Sequence, residues 1–254
     1  MIKIVRASVA MSIQDLGRPG YSQAGHCRSG AMDRASHLAA STLAGATASS
    51  ATIEMGPGPC TIDVLAPTTI AFAGAPRRGA PWWTTLQVSA GDSFEMSACI
   101  EGVWSYLGLA GGVAAPMIMG SRSACVREGI GRWLTSGDSI LSMGPATEPQ
   151  DHDPLTMKGP VRVYGQMESS VAVGPRTDRM GYELKGDFVA GGEELSEPVA
   201  PGFVQALPSG DAIALMSEAP TLGGYPTLGI VHPDDLRLIA QATAGQHLQF
   251  VKDE

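Results

Sequence analysis

Short apolar runs closed off by Gly, Pro, Ser or Asp recur along the whole chain, as in TIAFA (69–73), SFEM (93–96), SILSM (139–143), VRVY (161–164) and AIALM (212–216). Runs of this length between turn residues predict strands. Only two stretches carry a helical period. Asp33 is placed to cap a helix in which Ala35, Leu38, Ala39, Thr42 and Leu43 share a face, with Gly45 to end it. A second helix is predicted after Pro233, with Asp234 and Asp235 in its first turn and Leu236, Ile239 and Ala240 turned inward. Many strands and two short helices indicate a mainly β protein built from barrels or sandwiches.

The segment 144–160, GPATEPQDHDPLTMKGP, is rich in Pro and acid and has no apolar period. It reads as a connection between two lobes, 1–147 and 148–254, which are free to interlace. The two sides echo one another faintly, most visibly in Arg18-Pro-Gly-Tyr21 and Arg179-Met-Gly-Tyr182.

Composition sharpens this picture. Gly and Pro make up about one residue in five of the 254, against roughly one in eight on average, which disfavours long helices. A net charge of −8 repels a phosphate backbone, and no run of Lys or Arg offsets it, so nucleic acid is excluded as the expected partner. No secretory leader is expected from the first fifteen residues, because Gln14 and Asp15 interrupt them. The most apolar segment, 106–119, is broken by Gly108, Gly111, Gly112 and Pro116, so no membrane span is expected and the chain reads as cytoplasmic. Cys27, Cys60, Cys99 and Cys125 lack paired-ligand spacing and read as buried thiols, with no metal site expected.

No P-loop, dinucleotide fingerprint, nucleophile elbow or zinc-protease motif occurs. Candidate chemistry lies instead in polar residues set in Gly-rich turns. Gln14-Asp15-Leu-Gly-Arg18 puts an amide, a carboxylate and a guanidinium within five residues; they either contact a ligand or brace the turn. Asp33 either caps its helix or joins an anion site at the helix start. Arg122 and Arg132 have the fork that grips a carboxylate or phosphate. In the second half come Arg179, Glu197 and Gln205, then Gly223, Gly224 and Tyr225, whose amides and hydroxyl suit a developing oxyanion or a packed β-turn.

The ordered set SIQDLGRPGY, SGAMD, YLGLAGGVAAPMIMGSRS, GRWLTSGD, TDRMGYEL, LSE, PGFVQ, LGGYP and DLRLIAQATAGQHLQF, spanning residues 12–250, resembles the biotin-dependent carboxyltransferase family. That family is also called allophanate hydrolase subunit 2, kinase-inhibitor antagonist or the C-type subunit of 5-oxoprolinase. The resemblance implies two cyclophilin-like β-barrel lobes and a sister subunit of the allophanate hydrolase subunit 1, or kinase-inhibitor, type. It implies a hydrolase role in ATP-dependent 5-oxoprolinase, with a third subunit and with ATP used by the complex. The alternatives are carboxyl transfer to a urea-like or amide nitrogen from carboxybiotin on a separate carrier, and a regulatory binding module without catalysis.

On the 5-oxoprolinase reading, Arg18 and Arg179 hold the carboxylate or the transferred group and Asp15 orients or deprotonates. Gln14, Gln205 and Tyr225 hydrogen-bond the amide, with Asp33, Arg122, Glu197, Gly223 and Gly224 around the substrate. Three departures from the family pattern bear on activity rather than fold. The stretch between Pro160 and Asp178 is short, Pro220-Thr221-Leu222 stands where Gln-Thr-Thr is common, and Ala124 replaces a usual Thr.

Overall fold

The computed structural model describes every residue except 166, 168, 189–191, 193 and 254. It is mainly β, with two α-helices among the described residues, and divides into two compact units. The first comprises Met1–Arg18 and Asp33–Leu155, the second Pro19–Met32 and Thr156–Glu254.

In the first unit the strands are β1 (Ile2–Arg6), β2 (Ser12–Gln14), β3 (Thr52–Met55), β4 (Cys60–Val64), β5 (Thr68–Gly74), β6 (Thr85–Val88), β7 (Ser93–Met96), β8 (Ser105–Leu109) and β9 (Ser139–Ile140). They form two sheets, ordered β7-β4-β1-β9 and β2-β3-β8-β5-β6. In β4 buried residues alternate with half-buried ones, the signature of a sheet with one face on a core. Ile2, Ile4 and Ile62 of one sheet join Ile53, Phe72 and Leu107 of the other in a single apolar cluster. Each such side chain contributes about 1.5–3 kcal/mol when fully buried.

Strands β5 and β8 are buried on both faces because helix α1 (Arg34–Leu43) covers their outer side. Gly108 permits this approach, since a methyl there would overlap the Ala40 carbonyl. On the face that the apolar pattern suggests, Ala39, Thr42 and Leu43 are buried and Ala35 and Leu38 half-buried, and burial extends beyond it to Ser36, His37 and Ala40. Polar partners make this wider burial tolerable, because Ser36 bonds Asp33 and His37 bonds Thr52.

The second unit holds β10 (Val161–Gly165), β11 (Ser169–Thr177), β12 (Gly181–Lys185), β13 (Glu197–Pro198), β14 (Phe203–Ala206), β15 (Ala212–Leu215), β16 (Leu222–Gly223), β17 (Thr227–Val231) and β18 (His247–Lys252). Seven of them close into a barrel, β10-β17-β14-β15-β12-β11-β18, and β13 pairs with β16 as a separate ribbon. Closure leaves those seven strands no unpaired edge. The β10–β18 contact is parallel and the other barrel pairs are antiparallel. Helix α2 (Leu236–Ala240) buries Leu238, Ile239 and Ala240, while Leu236 is half-buried. Asp235 at its start does not cap it; the carboxylate accepts from Arg162 Nε at 2.7 Å.

All five apolar runs named above contain strand residues, although SILSM supplies only the two of β9. The Arg-x-Gly-Tyr echo is not repeated in structure. Tyr21 is exposed before a short 3-10 turn, whereas Tyr182 is buried in β12 and donates to Ala240 O at 2.8 Å. No described helix is long and apolar enough to cross a membrane. The four cysteines are free thiols; Cys27, Cys60 and Cys125 are buried, and burial raises the pKa of Cys60 and Cys99.

Candidate functional site

In the first unit, the Gly-rich turn after β2 is tied to the loop 121–123 by one carboxylate. Asp15 Oδ1 accepts from Gly17 N at 2.8 Å and from the hydroxyls of Ser121 and Ser123, each at 2.6 Å. Its Oδ2 accepts from Arg122 N at 2.6 Å. Four donors thus converge on this carboxylate, three on Oδ1 and one on Oδ2, and tie the turn after β2 to the loop. Gln14, its neighbour, is fully buried and donates through Nε2 to Ser12 Oγ at 2.9 Å and to Ala124 O at 3.1 Å.

Arg18 is 1% exposed. It donates through Nη2 to Ser123 O, while Nε and Nη1 are buried without a hydrogen-bond partner among the described residues. A buried donor left unmatched costs about 1–3 kcal/mol, more when charged, so Arg18 is the strongest anion seeker among the residues singled out from sequence.

A polar network that the sequence pattern does not reveal runs under α1. Tyr106 donates to Glu54 Oε2 at 2.8 Å and accepts from Asp33 N at 2.7 Å. Burial, with the nearby Glu54 and Asp33 charges, holds the Tyr106 phenol well above its ordinary pKa, so it stays a donor. Asp33 caps α1 through Ser36 N at 3.0 Å. His37 Nδ1 lies 2.8 Å from Thr52 Oγ1, and burial lowers the His37 pKa to about 4, leaving the ring neutral at pH 7.

The loop carrying Arg122 lines a cavity of about 450 Å³. Arg122 itself is half-buried and donates through Nη1 to Ala115 O. Arg132 also lines the cavity, but its fork is spent on Asp138 at 2.6 and 2.7 Å.

In the second unit, Arg179 is 4% exposed and its Nε donates to Glu218 Oε1 at 2.6 Å. Its Nη2 donates to Gly30 O at 2.7 Å, and Ser217 donates to Ala31 O at 3.0 Å. Ser29 has φ 54°, a left-handed conformation that a non-glycine residue adopts at a cost. The DRMG and SGAMD motifs are thus partners: one arginine clamps the strained loop of the other.

Gln205, Gly223 and Tyr225 also meet. Gln205 Nε2 donates to Tyr225 O at 2.9 Å, and a methyl on Gly223 would come within 2.5 Å of that nitrogen. Glu197 pairs with Gly223 across the β13–β16 ribbon and is exposed, and Gly224 O accepts from Glu194 N at 2.9 Å. Tyr225 bonds through its carbonyl, with its side chain partly exposed. The sequence-predicted residues thus fall into two groups: Gln14, Asp15, Arg18, Asp33 and Arg122 belong to the first unit, and Arg179, Glu197, Gln205, Gly223, Gly224 and Tyr225 to the second. Ser121 and Ser123 could have been found by their alternation about Arg122, and Glu218 as a lone acid ending an apolar run.

Residues 24–178 and 165–252 match the family model described as the carboxyltransferase domain, subdomain A and B. The chain is 31% identical over 283 aligned positions to a protein of Escherichia coli (strain K12) named as the C-type subunit of 5-oxoprolinase, covering 99% of this chain and 91% of that protein. A Haemophilus influenzae protein of the same name is 28% identical, with 98% and 90% covered. The solved structure of TTHA0988 superposes with a TM-score of 0.89 at 30% identity over 98% of this chain, which spans just over half, 55%, of that one. The urea amidolyase of K. lactis shares the fold at TM-score 0.88 and 22% identity, with 99% of this chain and 18% of that enzyme covered.

Proposed function

Since the chain belongs to the family of the carboxyltransferase domain, subdomain A and B, we propose that it serves as one subunit of an ATP-dependent 5-oxoprolinase that opens 5-oxoproline to glutamate. The observation that carries this reading is near end-to-end similarity, at 31% and 28% identity, to two proteins named as the C-type subunit of 5-oxoprolinase. The rest of the complex is a sister subunit of the allophanate hydrolase subunit 1 type together with a third subunit.

An unactivated lactam carbonyl is a poor electrophile, so the complex as a whole must couple ring opening to ATP. This sequence has no glycine loop of the P-loop kind, so its residues do not fit a phosphate cradle of that type, and ATP is assigned to the complex rather than to this chain. The part proposed for this chain is to bind and orient. Arg18, with two buried donors unmatched, takes the anionic group. Asp15 holds the loop 121–123 in place. Arg179 acts as a positioning residue through its grip on Gly30 O, and Gln205 fixes the carbonyl of Tyr225 beside Gly223.

The family description itself favours a second reading, carboxyl transfer from a biotinylated carrier to a urea-like nitrogen. Co-expression with the sister subunits separates the two. The complex should release glutamate from 5-oxoproline with ATP alone, and the Arg18→Ala complex should lose about 10- to 150-fold in rate, the equivalent of one charge-assisted contact. Carboxylation of urea with bicarbonate, ATP and a biotinyl carrier, with no action on 5-oxoproline, would replace this reading by the second. A stable complex without turnover on either substrate would make the chain a regulatory module.

A further inference from the structure

The cavity of the first unit has a chemistry of its own. Its walls are mostly apolar, with Ile13, Pro116, Ile118, Ile130, Leu134 and Ile140 among the residues that line it. Its volume, about 450 Å³, lies within the roughly 300–1,000 Å³ of small-molecule sites. Two guanidinium groups reach it. That of Arg132 is neutralised by the two-pronged contact with Asp138. That of Arg122 is not: Nη1 donates to Ala115 O, and neither Nε nor Nη2 has a hydrogen-bond partner among the described residues.

The base of Arg122 is fixed from behind. Its main-chain N–H and the hydroxyls on either side of it all donate to Asp15. A group held in place before its ligand arrives loses less freedom on binding, and apolar walls strengthen a charge contact relative to water. Both of those serine hydroxyls already donate to Asp15, so neither has a proton free for a ligand; Ser139 also lines the cavity with a neutral hydroxyl, and the charged donor left for an incoming anion is the fork of Arg122. One planar cation in an apolar chamber suits one carboxylate on an apolar body. A second charge on the ligand would be left in apolar surroundings without a partner.

We infer that this cavity binds a small organic monocarboxylate of apolar body, with its carboxylate on Arg122. Binding here is independent of the turnover proposed above and is read on the 254-residue chain alone. The test is calorimetric titration of the chain with cyclohexanecarboxylate and with its neutral isostere, cyclohexanecarboxamide. The acid should bind at least about tenfold tighter than the amide, which corresponds to roughly 1.4 kcal/mol. Arg122→Gln should bring the acid down to the affinity of the amide and leave the amide unchanged, and Ala114→Phe, which fills the wall, should weaken both. Equal binding of acid and amide by the unmodified chain, binding of neither, or an acid preference that survives Arg122→Gln would each overturn the assignment. The acid–amide comparison needs no variant, so a misfolded Arg122→Gln chain cannot conceal the answer.

Discussion

Replacing Asp15 by Asn tests whether this carboxylate organises the site or does chemistry in it. The substituted amide keeps one oxygen, which can still accept from Gly17 N and the hydroxyls of Ser121 and Ser123. Its NH2 group then faces the Arg122 N–H, now 2.6 Å from Oδ2, so two donors oppose one another. A bond to a charged group contributes roughly 1.5–3 kcal/mol, and an unmatched buried N–H costs roughly 1–3 kcal/mol. Contacts that share one residue are not additive, so a loss of about 3 kcal/mol is expected, equivalent to about 6–12 °C in melting temperature for a unit of this size. All four tryptophans, Trp82, Trp83, Trp104 and Trp133, lie in the first unit, so urea unfolding followed by tryptophan fluorescence reports on it directly. Asp15→Asn and Ser123→Ala should also couple in a double-mutant cycle. A change below about 0.5 kcal/mol, within the range of ordinary surface substitutions, would refute the organising role. Normal stability together with abolished turnover would return Asp15 to the role of base.

Three further outcomes are expected. His37 is neutral when buried, with its pKa lowered to about 4 from 6.5, so the unfolded chain takes up the proton first; stability is full above about pH 6.5 and falls by up to roughly 3 kcal/mol as the pH drops to about 4. Denaturation curves across that window should flatten in His37→Asn, whereas Glu183, whose pKa Arg176 holds at about 2, loses its contribution only as the pH falls from about 4.5 toward 2. Glu218→Gln removes the carboxylate that accepts from Arg179 Nε and should cost roughly 1.5–3 kcal/mol, the contribution of a hydrogen bond to a charged group, read by chemical denaturation followed by circular dichroism. Gly108→Ala pushes a methyl into the Ala40 carbonyl and should cost at least about 1–3 kcal/mol, read as a lower melting temperature.

Local pattern carried the strands and helices because both depend on near neighbours. AIALM is a short apolar run closed by Asp211 and Ser217, and Asp33 caps its helix through Ser36, three residues on. The site was legible only in part, because its contacts join residues far apart in sequence. Asp15 meets Ser121 and Ser123 across 106 and 108 positions, and Arg179 reaches Gly30 across 149. Residue type alone could not say that Asp15 would accept from four donors or that Arg179 would be paired with Glu218. His37 escaped notice because it lies off the apolar stripe of α1 and so reads as a surface residue until its partner, Thr52 on β3, is known. The membership of Pro19–Met32 in the second unit was likewise hidden, since nothing in that stretch names the barrel residues that hold it.

The most direct test of the proposed activity is product stoichiometry in the assembled complex. With this chain, its sister subunits, 5-oxoproline and ATP, glutamate and ADP should form one for one. Both should fall to background when this chain alone is omitted and return when it is added back. Glutamate formation at an unchanged rate without the chain, or ADP release with no glutamate in the complete mixture, would contradict the proposed role.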